Sequence, residues 1–284
     1  MYLLFDIGGT TTRIAISKDG RQFVEPKYVP TPASYREGLD ALIATGKHFA
    51  GDKKIEGVSG GIAGPLDAAH TTLANSPHLP DWVDKPFKRD LEKAFRCPVY
   101  LENDAAFVGL GEATDGAGRG FGIVAYVTVS TGVGGVRIVD GKIDRNAYGF
   151  EIGHQIIDIN GPLCATCAMP GHLEEYISGT SLERKYKMRP SDITDPDVWR
   201  ESARVLSYGL NNVMVHWSPE LIILGGAIMR KGPREFFQQT RDYFEQTVKI
   251  YPKLPRVERS VLGDIGGLHG ALVHLNQSLE KYRT

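Results

Sequence analysis

The chain has 284 residues, 42% hydrophobic and 24% charged, which is typical of a globular protein large enough for two domains. Its 33 lysines and arginines nearly balance 34 aspartates and glutamates, so the composition indicates neither a nucleic-acid partner nor an anionic-membrane partner. The apolar stretches at 121–129 and 221–229 are too short to span a membrane, and no secretory signal precedes Asp6. We therefore expect a cytoplasmic protein.

Residues 2–16 predict an apolar strand, a glycine turn and a second strand. Asp6 stands at the end of the first strand, and the residues after it are candidates for binding phosphate: Gly8, Gly9, Thr10 and Thr11. Backbone N–H groups can surround a phosphate in such a turn because glycine has no side chain to hinder the approach. Asp6 could then hold Mg²⁺, directly or through water. The alternative is a glycine-rich hairpin in which Asp6 makes a local turn bond.

The segment up to residue 113 alternates between helical and strand patterns. We predict helices near 36–49, 86–95 and 105–113, and strands at 55–59 and 97–102. Residues 57–61 also match the serine-hydrolase pattern G-x-S-x-G, but that motif requires a helix directly after the serine. The following Ile62-Ala63-Gly64-Pro65 cannot readily start one, which disfavours a hydrolase.

Asn103 and Asp104 lie where the predicted strand meets the helix after it. A structural interpretation suffices for both, because Asn103 can cap the helix and an acidic residue in the first turn suits the helix dipole. The functional alternative is that Asp104 accepts a hydroxyl proton during phosphoryl transfer.

Residues 125–139 repeat the plan of strand, glycine turn and strand. Arg137 follows Ser130 by seven residues, as Arg13 follows Asp6, and the second turn has no carboxylate. Its candidate phosphate ligands are Thr131, Gly132 and Gly134. Because this pattern of strand, glycine turn and strand occurs once in each half, we expect a nucleotide to be held by one loop from each half.

Two histidines and two cysteines follow with the spacing H-x9-C-x2-C-x4-H: His154, Cys164, Cys167 and His172. Four nitrogen and sulfur donors suit tetrahedral Zn²⁺, and the alternative is a surface C-x-x-C beside unrelated histidines. Glu151 and Glu174 flank this segment and could accept hydrogen bonds from adjacent hydroxyls of a neutral ligand, or be solvated surface acids.

The remainder predicts helices near 173–187, 196–216, 232–249 and 266–281, and a strand at 221–224 that ends in Gly225 and Gly226. Strands alternating with helices in both halves indicate an α/β protein with ligands at strand ends, between two lobes. The P-loop and Rossmann patterns do not occur in the sequence, which excludes both folds.

Seven motifs in a fixed order resemble the ROK family of bacterial sugar kinases and repressors. They are DIGGT at 6–10, GGIAGPL at 60–66, ENDA at 102–105, STGVGG at 130–135, EIGH at 151–154, SGTSL at 178–182 and ILGG at 223–226. The resemblance covers nearly the whole chain. It implies an actin-like, ribonuclease-H-like two-lobed fold with the active site in the interdomain cleft, usually dimeric, with ATP and Mg²⁺ as cofactors.

The resemblance also implies roles for individual residues. Asp104 matches the catalytic base, and the implied sugar-binding residues are Gly61, Asn103, Asp104, Glu151, His154 and Glu174. The implied nucleotide-binding residues are Asp6, Gly8, Gly9, Thr10 and Thr11 in the first loop, Thr131, Gly132 and Gly134 in the second, and Gly225 and Gly226 beside the adenosine. We expect a small lobe at 1–110 and a large lobe at 111–271, with a last helix at about 272–284 packed on the small lobe.

The metal segment departs from the family pattern. The family has one histidine and three cysteines with C-x-C, whereas this chain has C-x-x-C, with His172 in place of the last cysteine and Ala168 in place of a glycine. The resemblance nevertheless implies a structural Zn²⁺ held by His154, Cys164, Cys167 and His172.

These features favour an ATP-dependent kinase that acts on the 6-hydroxyl of a hexose, with glucose favoured. Kinases for N-acetylglucosamine, N-acetylmannosamine or fructose are alternatives. Family repressors carry a DNA-binding segment before the DIGGT strand, which begins here at residue 2, so a repressor is disfavoured. A non-catalytic sugar-binding protein is the remote alternative, since Asp6, Asp104 and both loops are intact. We expect a homodimer without nucleic-acid or membrane partners.

Overall fold

A computed structural model describes residues 1–165 and 167–280. These residues form two compact units, of which the first contains 1–115, 145–149 and the residues from Asp264 onward, and the second contains 116–144 and 150–263. The domain limits inferred from the sequence, 1–110 and 111–271, stay a prediction. The end of the predicted last helix, residues 281–284, lies outside the described residues. Over the described ranges, each helix lacks the length or the apolar character required to cross a membrane.

The strands and helices largely follow the predicted order. The strands are β1 (Tyr2–Ile7), β2 (Thr11–Ser17), β3 (Lys27–Pro30), β4 (Gly57–Ile62), β5 (Val99–Asn103), β6 (Ile123–Val129), β7 (Val133–Val139), β8 (Lys142–Ile143), β9 (Leu221–Gly225) and β10 (Arg256–Arg259). The α-helices are α1 (Tyr35–Ala50), α2 (Phe87–Phe95), α3 (Asp104–Thr114), α4 (Glu174–Ile177), α5 (Gly179–Tyr186), α6 (Pro196–Trp217), α7 (Ala227–Lys231), α8 (Arg234–Thr247) and α9 (Gly266–Glu280).

The first unit is built on a mixed sheet with the strand order β3-β2-β1-β4-β5. β1 is antiparallel to β2 and parallel to β4. Side chains alternate between the two faces of a strand, so Leu3, Phe5 and Ile7 share one face and pack into the core that includes α1 and α2. Asp6 therefore points to the opposite face, which α3 and α9 cover.

Glycines allow α3 and α9 to pack unusually closely. A Cβ atom at Gly270 of α9 would lie 1.8 Å from the carbonyl oxygen of Phe107 in α3. A Cβ atom at Gly111 of α3 would lie 2.5 Å from the carbonyl oxygen of Gly266. These distances are impossible for real side chains, so the spacing of the two helices depends on the absence of side chains at these points.

The second unit is built on another mixed sheet, with the strand order β10-β9-β6-β7-β8. Its core joins the apolar side chains of β6 and β9 to those of the long helix α6 and of α8. Asp140 and Gly141 both have positive φ and close the turn between β7 and β8, which is typical of an Asp-Gly pair.

The structure differs from the sequence prediction mainly in short or polar elements. β3 and β10 were not predicted, because Lys27–Pro30 is mostly exposed and Arg256–Arg259 has only Val257 buried, so neither has an apolar run. The helix predicted near 173–187 is two helices, α4 and α5. Ser178 separates them because its side chain accepts a hydrogen bond from the backbone N–H of Ser181 and so caps α5.

Candidate active site

The first glycine turn presents Asp6 and Arg13 on the same face of the sheet. Asp6 lies in β1, directly opposite Arg13 of β2, and its Oδ2 accepts a hydrogen bond of 3.1 Å from the Nη1 of Arg13. The turn itself is closed by the backbone N–H of Gly8, which donates to the carbonyl oxygen of Thr11 at 3.1 Å. Gly9 and Thr10 lie in this turn, and Thr11 begins β2.

Asp104 is the first residue of α3, at the end of β5. Asn103 caps the helix by accepting a hydrogen bond from the backbone N–H of Ala106 at 3.2 Å, and its own amide donates to the carbonyl oxygen of Gly64 at 3.1 Å. A Cβ atom at Gly61 would lie 3.0 Å from the Cα of Asp104, so the glycine lets α3 begin close to β4. Asn103 therefore caps the helix and also ties it to the loop after β4.

Asp6 is buried and Asp104 is half-buried, and loss of solvation dominates the ionisation of both carboxylates. Burial raises the pKa of Asp6 to about 7, the nearby Asp104 carboxylate adds to the rise, and the Arg13 guanidinium opposes it. Burial also raises the pKa of Asp104, while the hydrogen bond from the backbone N–H of Ala105 and the charges of His78 and Arg13 lower it. A buried carboxylate with a raised pKa is a stronger base than an exposed one, which suits it to proton abstraction.

The second glycine turn is anchored to the helices that follow it. The backbone N–H groups of Gly179 and Thr180, in the first turn of α5, donate to the carbonyl oxygens of Ser130 and Thr131 at 2.7 and 3.1 Å. Glu174 accepts a hydrogen bond from the backbone N–H of Val133 at 3.2 Å. The structure thus brings the second turn next to Glu174.

Three of the predicted nucleotide-binding glycines, Gly132, Gly225 and Gly226, lie where a side chain would crowd a neighbouring atom. A Cβ atom at Gly132 would lie 3.0 Å from the carboxylate of Glu174. Gly225 ends β9, and Gly226 has a φ of 93°, with a Cβ position only 2.3 Å from the carbonyl oxygen of Val129. Gly134 lies inside β7, opposite Thr128, and not in the turn.

The four predicted metal ligands form one cluster in the second unit. The ligand atoms of His154, Cys164, Cys167 and His172 all lie within 4.8 Å of one another. The Nδ1 atoms of the two histidines are 2.9 Å apart, and the Sγ atoms of Cys164 and Cys167 lie 3.8 and 3.9 Å from His154 Nδ1 and His172 Nε2. Two nitrogen and two sulfur donors at this spacing fit the preferences of zinc.

The same cluster reaches the predicted sugar ligands. Glu151 precedes the 3₁₀ turn Ile152–His154, and the Nε2 of His154 lies 3.8 Å from the carboxylate of Glu174. His154 therefore directs one ring nitrogen to the cluster and the other towards a carboxylate. A side chain oriented in this way links the metal-binding segment to groups that can accept hydrogen bonds from a ligand.

The structure corrects the proposed equivalence of the two glycine hairpins. Ser130 lies in its turn, whereas Asp6 lies in a strand, so the two positions are not equivalent. Arg137 is paired with Ala125, and its guanidinium forms an ion pair with Asp144 and donates to the carbonyl oxygen of Trp217 at 3.0 Å.

Sequence reasoning did not assign site roles to Arg13, His78 and Asp264. His78 packs over the first turn, since a Cβ atom at Gly9 would lie 2.8 Å from the Cβ of His78. Asp264 lies 3.6 Å from the Nη2 of Arg13. The seven-residue spacing of Arg13 from Asp6 was no signal, because Ser130 and Arg137 share it without pairing. The long loop before His78 and the distance of Asp264 along the chain gave none either.

Known proteins resemble this chain along nearly its whole length. The model of the ROK family matches residues 2–278. The N-acetyl-D-glucosamine kinase of Escherichia coli strain K12 is 31% identical over 307 aligned residues, which cover 97% of this chain and 99% of the relative.

Two crystal structures extend the comparison. A ROK hexokinase from Thermus thermophilus superposes with a TM-score of 0.88 at 28% identity, covering 99% of both chains. A ROK family glucokinase from Streptomyces griseus, in complex with glucose and AMPPNP, superposes with a TM-score of 0.82 at 28% identity, covering 97% of this chain and 99% of the other. The α/β sugar-kinase fold predicted from the sequence is confirmed.

Proposed function

The chain belongs to the ROK family, and from this premise we propose that it transfers the terminal phosphoryl group of ATP to the 6-hydroxyl of a hexose. The observation that best supports the proposal is the placement of Asp104. Its side chain is half-buried at the start of α3, the helix that packs on the face of the sheet carrying Asp6. A general base near a carboxylate at the proposed phosphate loop suits phosphoryl transfer. This reaction depends on positioning the reactants and on stabilising the charge of the transferred phosphoryl group.

Asp104 is the proposed general base. It accepts the proton of the attacking sugar hydroxyl, and the oxygen then attacks the terminal phosphorus while the bond to the leaving diphosphate breaks. Burial favours the proton on Asp104 once the transfer begins, because it raises the pKa of this carboxyl. Asn103 holds the start of α3 in place through its two hydrogen bonds and is the proposed neighbour of the sugar.

The two glycine turns are the proposed phosphate loops. Gly9, Thr10 and Thr11 offer backbone N–H groups or hydroxyls in the first unit, where Gly8 closes the turn, and Thr131 and Gly132 do so in the second. Gly134, which lies in β7, is the remaining proposed contact of the nucleotide. Gly225 and Gly226 are the proposed contacts of the adenosine. Asp6 would hold Mg²⁺, whose charge neutralises the phosphate oxygens during transfer when the ion is bound.

Glu151, His154 and Glu174 are the proposed sugar ligands of the second unit, and Gly61 and Asn103 those of the first. Carboxylates accept hydrogen bonds from sugar hydroxyls, and the 3.8 Å approach of His154 Nε2 to Glu174 places a nitrogen and a carboxylate together. The zinc site proposed for His154, Cys164, Cys167 and His172 is structural, because four protein donors leave no coordination position for a reacting water. Elemental analysis of purified protein should give about one zinc per chain.

Glucose is the proposed substrate, as for the Streptomyces griseus glucokinase. N-acetylglucosamine is the second candidate, because the Escherichia coli relative that acts on it is 31% identical over 97% of the chain. N-acetylmannosamine and fructose are the remaining candidate substrates. A homodimer that uses ATP and sugar, without nucleic-acid or membrane partners, stays the prediction for the assembly.

A coupled kinase assay with Mg²⁺ and ATP over these sugars and mannose tests the proposal. We expect ADP release that depends on one sugar, with the highest kcat/KM for glucose. A higher value for N-acetylglucosamine would replace glucose by the second candidate. Sugar binding without any sugar-dependent ADP release would refute the kinase and support a non-catalytic sugar-binding protein.

A further inference from the structure

Arg13 occupies the centre of a row of residues that crosses the first sheet. Tyr28 of β3, Arg13 of β2 and Asp6 of β1 lie directly opposite one another, and the row continues to Gly61 of β4. The guanidinium carbon of Arg13 lies 5.8 Å from the centre of the Tyr28 ring. Arg13 is therefore held from one side by an aromatic ring and faces a carboxylate on the other.

The guanidinium of Arg13 bridges two acidic residues from distant parts of the chain. Its Nη1 donates to Asp6 at 3.1 Å, and its Nη2 lies 3.6 Å from Asp264, just before α9. The Asp6 side chain also touches the first turn of α9, since a Cβ atom at Gly267 would lie 2.9 Å from its carboxyl carbon. The Asp6 carboxylate is thus held between Arg13 and the start of α9.

This arrangement fixes one oxygen of Asp6. A planar guanidinium restricts the orientation of a carboxylate more than a flexible ammonium does. With Oδ2 engaged by Arg13, Oδ1 is the oxygen that can meet a cation. A carboxylate oriented before the metal arrives loses less freedom on binding it.

We propose that Arg13 is a positioning residue for phosphoryl transfer, which fixes the Asp6 carboxylate against α9 so that it meets the magnesium ion of bound MgATP. The inference rests on the proposed kinase function and on Asp6 as the magnesium ligand. It assigns to Arg13 no contact with the sugar and none with the phosphates.

The test measures the affinity for AMPPNP by calorimetry, once with Mg²⁺ and once with EDTA, for wild type, Arg13→Gln and Arg13→Lys. We expect Arg13→Gln to weaken binding of Mg-AMPPNP by roughly 10- to 100-fold, the size of a lost hydrogen bond between charged groups. Binding of AMPPNP without metal should change by less than about twofold. Arg13→Lys should be intermediate, because an ammonium keeps the charge but cannot reach Asp6 and Asp264 with two separate nitrogens.

Arg137→Gln is the matched control, because Arg137 occupies the second glycine hairpin and pairs with Asp144. It should leave both affinities unchanged. Equal affinities for the Arg13→Gln and Arg137→Gln variants would overturn the proposal, and so would an equal loss with Mg²⁺ and with EDTA, which would mean a direct phosphate contact. If thermal melting shows Arg13→Gln unfolded, Arg13→Lys decides by the same criteria. Absence of kinase activity in the wild type would reject the proposed function instead.

Discussion

The two glycine hairpins share one backbone plan but differ in the chemistry around it. In the first, Asp6 and Arg13 face each other across adjacent strands near Asp104. In the second, the turn is anchored by backbone groups of α5, and Arg137 pairs with Asp144. The comparison teaches that the same backbone plan can be surrounded by different chemistry. The residues around the first hairpin are charged and face one another, whereas those around the second anchor its turn through backbone hydrogen bonds.

Asp104→Asn tests the proposed general base of the first unit, and it should have the largest effect. We expect kcat to fall by roughly 10²- to 10⁴-fold, the usual contribution of a general base, because the amide cannot take the proton. Sugar and nucleotide affinities, measured by calorimetry, should stay within a few-fold of wild type. Turnover near the wild-type value would remove Asp104 from the role of base.

Asp6→Ala tests the proposal that the first hairpin binds the magnesium ion through Asp6. The KM for MgATP should rise and kcat should fall, by about 10²-fold together, because a charged metal ligand is lost. The sugar KM should change little, and steady-state kinetics with each substrate varied in turn measure both. Equal losses for sugar and nucleotide would indicate a disrupted first unit.

The dependence of activity on pH tests whether the ionisation of Asp6 and Asp104 governs the reaction. Both must be ionised to act, and burial raises the pKa of Asp6 to about 7 and the pKa of Asp104 above its ordinary value. We expect kcat/KM to fall by about tenfold from pH 8 to pH 6, the loss of ionised form for a group with a pKa near 7. A flat profile over this range would contradict the assignment.

The same ionisation predicts the sign of the stability change in the ligand-free protein. A carboxyl whose pKa is raised by folding favours the protonated folded state, so its stabilising effect is present at acid pH and is lost as the pH rises from 3.8 through about 7. Asp6→Asn should therefore raise Tm relative to wild type more at pH 8 than at pH 5.

Cys167→Ser tests whether the cluster of histidine and cysteine donors in the second unit supports sugar binding. Loss of one of the four proposed zinc ligands should raise the sugar KM by about fivefold, because the proposed sugar ligands His154 and Glu174 would be less well held. The affinity for AMPPNP should stay close to wild type, and elemental analysis should show less zinc. A fully active wild-type preparation with well under one zinc per chain would mean that the cluster does not need the metal.

The local features of the site could be predicted from the sequence, but the long-range ones could not. An Asn-Asp pair between a strand and a helix predicted the start of α3, and the spacing of His154 to His172 predicted the cluster of donors. The pairing of Asp6 with Arg13 depends on turn length, since four residues separate Ile7 from its partner Thr12 but three separate Val129 from Val133. A register of this kind has no signal in residue spacing alone.

The close packing of α3 against α9 limits how this enzyme can evolve. Asp104 begins α3, and the first turn of α9 touches Asp6, so the distance between the two carboxylates depends on two helices that approach each other closely at glycines. Any residue larger than glycine at Gly111 or Gly270 would push the helices apart. Variation that changes the preferred sugar must therefore arise elsewhere, and a saturation library should show these glycines as invariant as the carboxylates themselves.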